Sequence, residues 1–419
     1  MRFIADLHIH SRFSRATSQE MDIPAIAQMA KMKGMKLVAT GDFTHPQYFE
    51  SLITHLRDGG NGLFLYGDTY FILSAEVNNI YSEGGRLRRI HNLIYAPSLE
   101  SAQEITKLLA RYGKIEVDGR PTVSISSYNL VAQVLEIDPR AFIVPAHIWT
   151  PWFSLYGSNS GFDSFKQCFG DMADEVFAVE TGLSSDPPMN WRLSELDKKT
   201  LISNSDAHSP SRLGREANVF NCELDYDTIR MVLKTKDRSR LLFTIEFFPE
   251  EGKYHYDGHR SCGIRMSPNE AMLSGNLCPI CGRGLTVGVL HRVEELADRK
   301  PDETPGDVIP FKHLVPLEEI VAEAMEKGRD TATVAHRYEE LIRALGSEFE
   351  ILMEVPIEDI RRVDAKVAEG VERMRQKQVS LDPGYDGVFG IVQVLPGEKR
   401  RAVEPGALVK GEEKQLRLF

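Results

Sequence analysis

The chain has 419 residues, 42% of them hydrophobic and 26% charged, with a formal net charge of −11. That length exceeds one ordinary core and points to two or three domains of roughly 100 to 200 residues, and the composition excludes a disordered or fibrous chain. The acidic balance counts against a nucleic-acid partner without excluding one, because a polyanion responds to the local field of a groove and bound divalent cations reverse that field.

The start, MRFIADLHIH, reaches ionisable residues too early for a signal peptide, and no stretch approaches the roughly 20 apolar residues of a membrane span. A cytoplasmic protein with no membrane partner is expected. Residues 1–245 alternate short apolar runs with amphipathic stretches, which predicts an α/β fold with a largely parallel sheet or barrel. The first run, FIADLHIH, ends in His8 and His10, which share one face of a strand and can reach one metal. Asp6 lies on the same face, placed to fix a tautomer. IPAIAQMAKMKG has helical spacing, and then KLVATG leads to Asp42 and His45 and FILSA to Glu76. His91 opens HNLIYAP, FIVPA leads to His147, and LISNS leads to Asp206 and His208. Polar residues thus gather at the carboxyl ends of strands, where barrel enzymes keep their chemistry. Imidazoles mixed with carboxylates suit zinc, manganese or iron in a site that activates water.

Residues 246–300 change character, packing histidine, cysteine and glycine into too little apolar material for an independent core, so a metal staple is expected. His259 and Cys262 form one pair of ligands and Cys278 and Cys281 the other, a pattern for one structural zinc in which His255 could replace His259. Cys168 and Cys222 have no such neighbours and read as buried, inert thiols. KPDETPGDVIP reads as a linker. PLEEIVAEAMEKG, TVAHRYEELIRALG and PIEDIRRV then give a small helical domain within 301–395, followed by a polar tail over 396–419.

The order DLHIH, GDFTH, SAEVN, RIHN, PAHIW, SDAHS resembles the PHP superfamily, named for polymerase and histidinol phosphatase. The resemblance implies a distorted strand–helix barrel around two or three divalent metals, taken as zinc, manganese or magnesium. His8, His10, Glu76, His91, His147, Asp206 and His208 match its metal ligands, with Glu76 as the bridge, and Asp206, Glu76 and His208 are the expected catalytic residues. Two departures stand out. GDFTHP separates Asp42 from His45 where the family has Asp and His adjacent, which leaves both as candidate ligands, and SRFSRATS lacks a ligand common after the first histidine pair. Longer stretches, among them VPAHIWTPWFSLYGSNSGFDS, ISNSDAHSPSRLGREANVF and CPICGRGLTVGVLHRVEELADR, resemble the endonuclease Q family. That resemblance implies incision of DNA 5′ to deaminated bases (uracil, hypoxanthine, xanthine) and abasic sites, and nucleoid association.

Trp149, Trp152, Phe153 and Tyr156 follow His147 and can either stack an extruded base or pack as an aromatic loop. Arg12, Arg15, Arg212 and Arg215 flank the first and last motifs as candidates for phosphate contacts. The end, QLRLF, resembles the motif that bacterial repair proteins insert into the sliding clamp, with Gln415, Leu416, Leu418 and Phe419 as its contacts. The alternatives are a small-molecule phosphatase of the same superfamily and a DNA-binding scaffold with structural metals only.

Overall fold

The structure is a computed structural model that describes residues 1–396; the QLRLF motif lies outside the described residues. Arg2–Asp6, buried from Phe3 onward, pairs in parallel with Leu37–Ala39, which pairs in parallel with Thr69–Glu83. The connecting helix Ile23–Lys33 starts where the Asp22 carboxylate accepts the Ala25 amide, satisfying a donor that the first helical turn leaves open. Thr69–Glu83 runs antiparallel to Arg86–Ala96, and that strand runs antiparallel to Phe142–Pro145. The ring continues where the Ile148 amide donates to the Glu180 carbonyl at 3.1 Å, and Ala178–Glu180 pairs in parallel with Thr200–Ile202. It closes where the His10 amide donates to the Ala207 carbonyl at 3.0 Å.

The fold is therefore a mixed α/β barrel, less parallel than the alternating pattern suggests. The cause is local. Gly84 and Gly85 take φ of 60° and 75°, the left-handed pair required by a tight hairpin turn whose twist matches that of its strands. The long hairpin so formed carries Glu76 on one arm and His91 on the other.

Outside the ring, Ala217–Asn221 pairs antiparallel with Arg2–Asp6, and Leu241–Glu246 extends the sheet. The residues just past the proline-rich linker also join it, Phe311–His313 lying parallel to Leu241–Glu246. The zinc-type segment has a short hairpin, Asp257–His259 with Ile264–Met266, the helices Pro268–Leu273 and Val289–Leu296, and a local apolar cluster of Ala271, Cys278 and Leu285. Helices Leu317–Ala324, Ala332–Leu345, Glu348–Met353, Ile357–Val363 and Ala365–Arg375 follow, and their apolar faces share one continuous core with the barrel. The chain then leaves the helical pattern. Ser380–Asp382 pairs with Ile391–Gln393, and the loop between them returns to the zinc-type segment, where Tyr385 bridges to Tyr256. Among the described residues no helix is long and apolar enough to cross a membrane.

Candidate metal centre

The first strand delivers His8 and His10 to the barrel mouth with their rings held from behind. His8 Nδ1 lies 3.0 Å from Glu180 Oε1, and His10 Nδ1 lies 3.1 Å from Asp42 Oδ1. With Nδ1–H donated to a carboxylate, each ring turns a bare Nε2 inward, the tautomer a metal ligand needs. His10 Nε2 approaches Glu76 Oε2 at 3.2 Å and Asp206 Oδ1 at 3.1 Å, and His8 Nε2 stands 3.8 and 3.7 Å from the same two atoms. Yet His8 Nε2, His10 Nε2, Asp206 Oδ1 and His208 Nε2 are buried without a hydrogen-bond partner. On the other side of the bridge Glu76 Oε1 lies 2.7 Å from His91 Nδ1 and 3.2 Å from His147 Nε2.

Donor atoms therefore converge in three overlapping groups: His8, His10 and Glu76; His10, Asp206 and His208; and Glu76, His91 and His147. Orphaned nitrogens aimed at carboxylate oxygens at this spacing fit divalent cations, because only a cation satisfies all of them together. Electrostatics agree. Burial raises the Glu76 carboxyl, but His91 and the Arg120 guanidinium more than offset it and hold it well below the carboxylate range. Burial is likewise outweighed at Asp206, by His208 and His8. Burial pushes His91 and His208 down to about 4 against the pull of the neighbouring Glu76 and Asp206 carboxylates. His8 and His10 are pushed well above the usual imidazole range, burial being outweighed by Glu180 and Asp206 at the first and Asp42 and Asp206 at the second. A cation displaces those protons, so acid weakens its binding.

Several expectations need correcting. Asp6 does not touch the His8 ring; its oxygens accept the backbone amides of Ser205 and Gly214, stitching the last strand to the first, and burial raises its carboxyl to about 6. Glu180 takes the orienting role instead. Asp42 stands behind His10 rather than among the inward-facing donors: its second oxygen accepts the Ser11 amide and the Ser11 and Ser14 hydroxyls. SRFSRATS thus supplies hydroxyls to this carboxylate where the superfamily pattern has a metal ligand. His45 caps the helix Pro46–His55, stacks on Phe13 at 4.4 Å and belongs to none of the donor groups among the described residues.

The aromatic loop is largely interior. Trp149 is fully buried, donates Nε1–H to Asn190 at 2.8 Å and packs on Tyr156, whose hydroxyl donates to Glu195. Phe153 packs on His91, and of the four rings only Trp152 is half-buried, set edge-on to Tyr254. The packed-loop alternative describes Trp149 and Tyr156. Arg12 pairs with Asp22, Arg15 with Asp118, Arg212 with Glu319, and Arg215 donates to the Ser205 carbonyl.

At the second site His259, Cys262, Cys278 and Cys281 place their donor atoms within 4.8 Å of one another, close enough for the four to hold one metal ion, and the donor set is one that structural zinc takes. His255 lies outside the group, stacked on Tyr256. Burial raises the Cys278 thiol, but the amides of Cys281 and Ile280 outweigh it and bring it to about 6, close to the thiolate that zinc requires. Because the apolar cluster here has three buried members, a metal bound by these four residues would supply much of the local stability. Cys262→Ser is expected to lose this zinc and lower the melting temperature, with the rate of the protein that stays folded changed only a few-fold; metal analysis, calorimetry and single-turnover kinetics read the three quantities.

The chain superimposes on the crystal structure of the lesion-specific endonuclease PfuEndoQ from Pyrococcus furiosus with a TM-score of 0.85 and 33% identity, covering 98% of this chain and 100% of the other. The chain belongs to the endonuclease Q family. A second endonuclease Q structure, in complex with a 27-mer duplex bearing an abasic lesion at the active site, matches with a TM-score of 0.85 and 33% identity over 96% of this chain and 99% of that one. Protein MJ0043 of Methanocaldococcus jannaschii is 33% identical over 312 residues; the match takes in 73% of this chain and 36% of that protein's length. Residues 316–378, the helical region, match the family described as the MJ0043 C-terminal domain.

Three residues of this endonuclease Q centre carry left-handed backbone without being glycine: Asp42, His147 and Asp206, with φ of 46°, 31° and 48°. Such conformations cost about 1–3 kcal/mol each and persist where surrounding structure imposes them. Gly182 helps impose that of His147: a Cβ there would stand 2.5 Å from the His147 Cβ and 2.8 Å from its Cα, and its own φ is 66°. Gly182→Ala is therefore expected to push His147 off Glu76 and lower the turnover number about 100-fold, as ångström-scale misplacement does. Circular dichroism and single-turnover rates test this; a full rate with normal folding would show that the loop yields freely.

Proposed function

We propose that the protein is a metal-dependent DNA repair endonuclease that hydrolyses the phosphodiester 5′ to deaminated bases, uracil, hypoxanthine or xanthine, and to abasic sites. The observation that carries this reading is the convergence of three overlapping donor groups drawn from positions 8 to 208, two of them sharing Glu76 and two sharing His10, in a chain that matches lesion-specific endonuclease structures over nearly its whole length. Two or three closely spaced divalent ions, when bound, supply a hydroxide nucleophile at neutral pH and neutralise charge on the attacked and leaving oxygens.

The remaining work falls to the chain. Glu76 spans the two halves of the centre, one oxygen facing His8 and His10 and the other His91 and His147. Glu180 and Asp42 fix the two forward imidazoles, so the donor geometry is set before substrate arrives. Asp206 leaves about a quarter of its side chain open, at 26%, and stays anionic, which suits it to orient the attacking water. A damaged nucleotide costs less to extrude than a sound pair, and Trp152, five residues after His147 in the chain, offers a partly open ring to receive one. The QLRLF end is taken as an anchor on the sliding clamp.

The test is to incubate labelled duplexes carrying uracil, hypoxanthine or an abasic site with the protein and manganese or zinc, and to map the cut. A single incision on the 5′ side of the lesion is expected. Hydrolysis of phosphomonoesters alone, or of undamaged DNA alone, would reject the reading.

A further inference from the structure

Arg120 lies in GKIEVDGRPT, a loop that carries no metal-ligand signature. The structure nevertheless aims it into the metal centre. Its Nη1 stands 3.2 Å from Glu76 Oε2, the oxygen that also faces His8 and His10, and its side chain is 18% exposed. Among the described residues it is the arginine that ion-pairs with a carboxylate of the donor groups; the four arginines singled out from the sequence are held by other partners.

The loop is pinned on both sides of the residue. The Gly119 amide donates to the Phe13 carbonyl at 3.0 Å, and Gly119 presses on Asp42 and Ser14 with no room for a side chain. The Arg120 amide donates to Asp118 at 3.1 Å, and the Pro121 carbonyl accepts the Asn78 amide at 3.0 Å at the edge of the strand Thr69–Glu83. A long cationic side chain fixed this firmly has lost most of its conformational freedom before any ligand binds.

We propose that Arg120 is a catalytic residue that donates to a non-bridging oxygen of the scissile phosphodiester. Three considerations separate this from simple charge balance for Glu76. Divalent cations held by the donor groups would themselves neutralise Glu76, so an arginine serving only that purpose would be redundant. A guanidinium has five N–H donors in a planar fork, and the contact with Glu76 engages one nitrogen of it, Nη1. Phosphate oxygens match that fork. In hydrolysis water adds to phosphorus as one ester P–O bond breaks. The leaving oxygen ends as an alcohol with one of the water's protons, and the other proton is released as the new monoester ionises. Charge develops on the non-bridging oxygens meanwhile, where a fixed donor is most effective.

This inference rests on the phosphodiesterase reading, and its test separates the two. Full-length wild type, R120A and R120K are compared on a lesion duplex and on bis(4-nitrophenyl) phosphate, with bound metal and duplex affinity measured alongside. R120A is expected to lower the turnover number about 10²- to 10³-fold, the loss typical of removing one such donor, with metal content and duplex affinity little changed. R120K should recover only part, because a point charge lacks the fork, and added guanidinium ion should partly rescue R120A. Loss of metal in step with rate, or an undiminished rate in R120A, overturns the proposal; R120K decides it if R120A does not fold. If wild type cleaves the small diester but no damaged DNA, the lesion reading falls and the same comparison still decides Arg120. If it hydrolyses no phosphodiester, both fall.

Discussion

Glu76→Gln is expected to lower incision by about three orders of magnitude or more while the protein stays folded. Glu76 is the shared member of two donor groups, with one oxygen 3.2 Å from His10 Nε2 and the other 2.7 Å from His91 Nδ1. An amide carries no charge and presents a donor where one of those oxygens was, so neither half of the centre keeps its bridge. The loss should exceed the roughly 10- to 100-fold that follows when a group merely orients a ligand is removed, which is the range expected for Glu180→Gln, where the His8 ring loses its support. Some stability is expected to go with the charge, since Gln fills the same volume but leaves the Arg120 guanidinium without its carboxylate; the loss of rate should far exceed what the fraction unfolded accounts for. Single-turnover rates, metal content and a melting curve on one preparation suffice. Equal loss of fold and rate, or near-normal activity, would contradict a bridging role.

The centre was legible in the sequence wherever a ligand sits at the end of an apolar run. His8, His10, Glu76, His91, His147, Asp206 and His208 all fall in or beside strand-like text; the strands of a closed barrel bring their ends to one mouth, and the long hairpin carries Glu76 and His91 to it from within its two arms. What lies behind them was less legible. Glu180 also ends an apolar run, AVE, yet nothing in local text says that its carboxylate turns towards a histidine 172 positions away. Asp6 misled for the opposite reason: it shares a strand face with His8, but the backbone amides of Ser205 and Gly214, remote in sequence, claim its oxygens first. Arg120 left no trace, because its place is set by where a loop is pinned. The hairpin was readable, since SEGGR is a tight-turn signal, but the alternation of strands and helices around it argued for parallel crossovers. Aromatic residues beside a ligand do not disclose burial, and Trp149 and Tyr156 serve the core.

Lys33→Met is expected to cost about 3–5 kcal/mol of stability, the penalty for leaving one member of a buried ion pair alone. Lys33 ends the helix Ile23–Lys33 of the barrel, and Glu348 opens the helix Glu348–Met353 of the helical region. Their side chains are 3% and 4% exposed and meet at 2.8 Å. The carboxylate is satisfied on all sides: Tyr338 donates its hydroxyl to Oε2 at 2.7 Å, and the Leu317 amide donates to Oε1 at 3.0 Å. Removing the ammonium leaves those two donors facing an anion that water cannot reach, at the seam where helical region and barrel share their core. The cost comes from the stranded charge rather than from lost attraction, which gives a sharper test than the single variant. Lys33→Met combined with Glu348→Leu removes both charges and should recover most of the loss, whereas independent contributions would add. Urea unfolding of wild type, both single variants and the double variant measures this directly. A cost below about 1 kcal/mol for Lys33→Met, the range of exposed pairs, would mean that water enters the seam and that the helical region does not dock on the barrel as the buried pair requires.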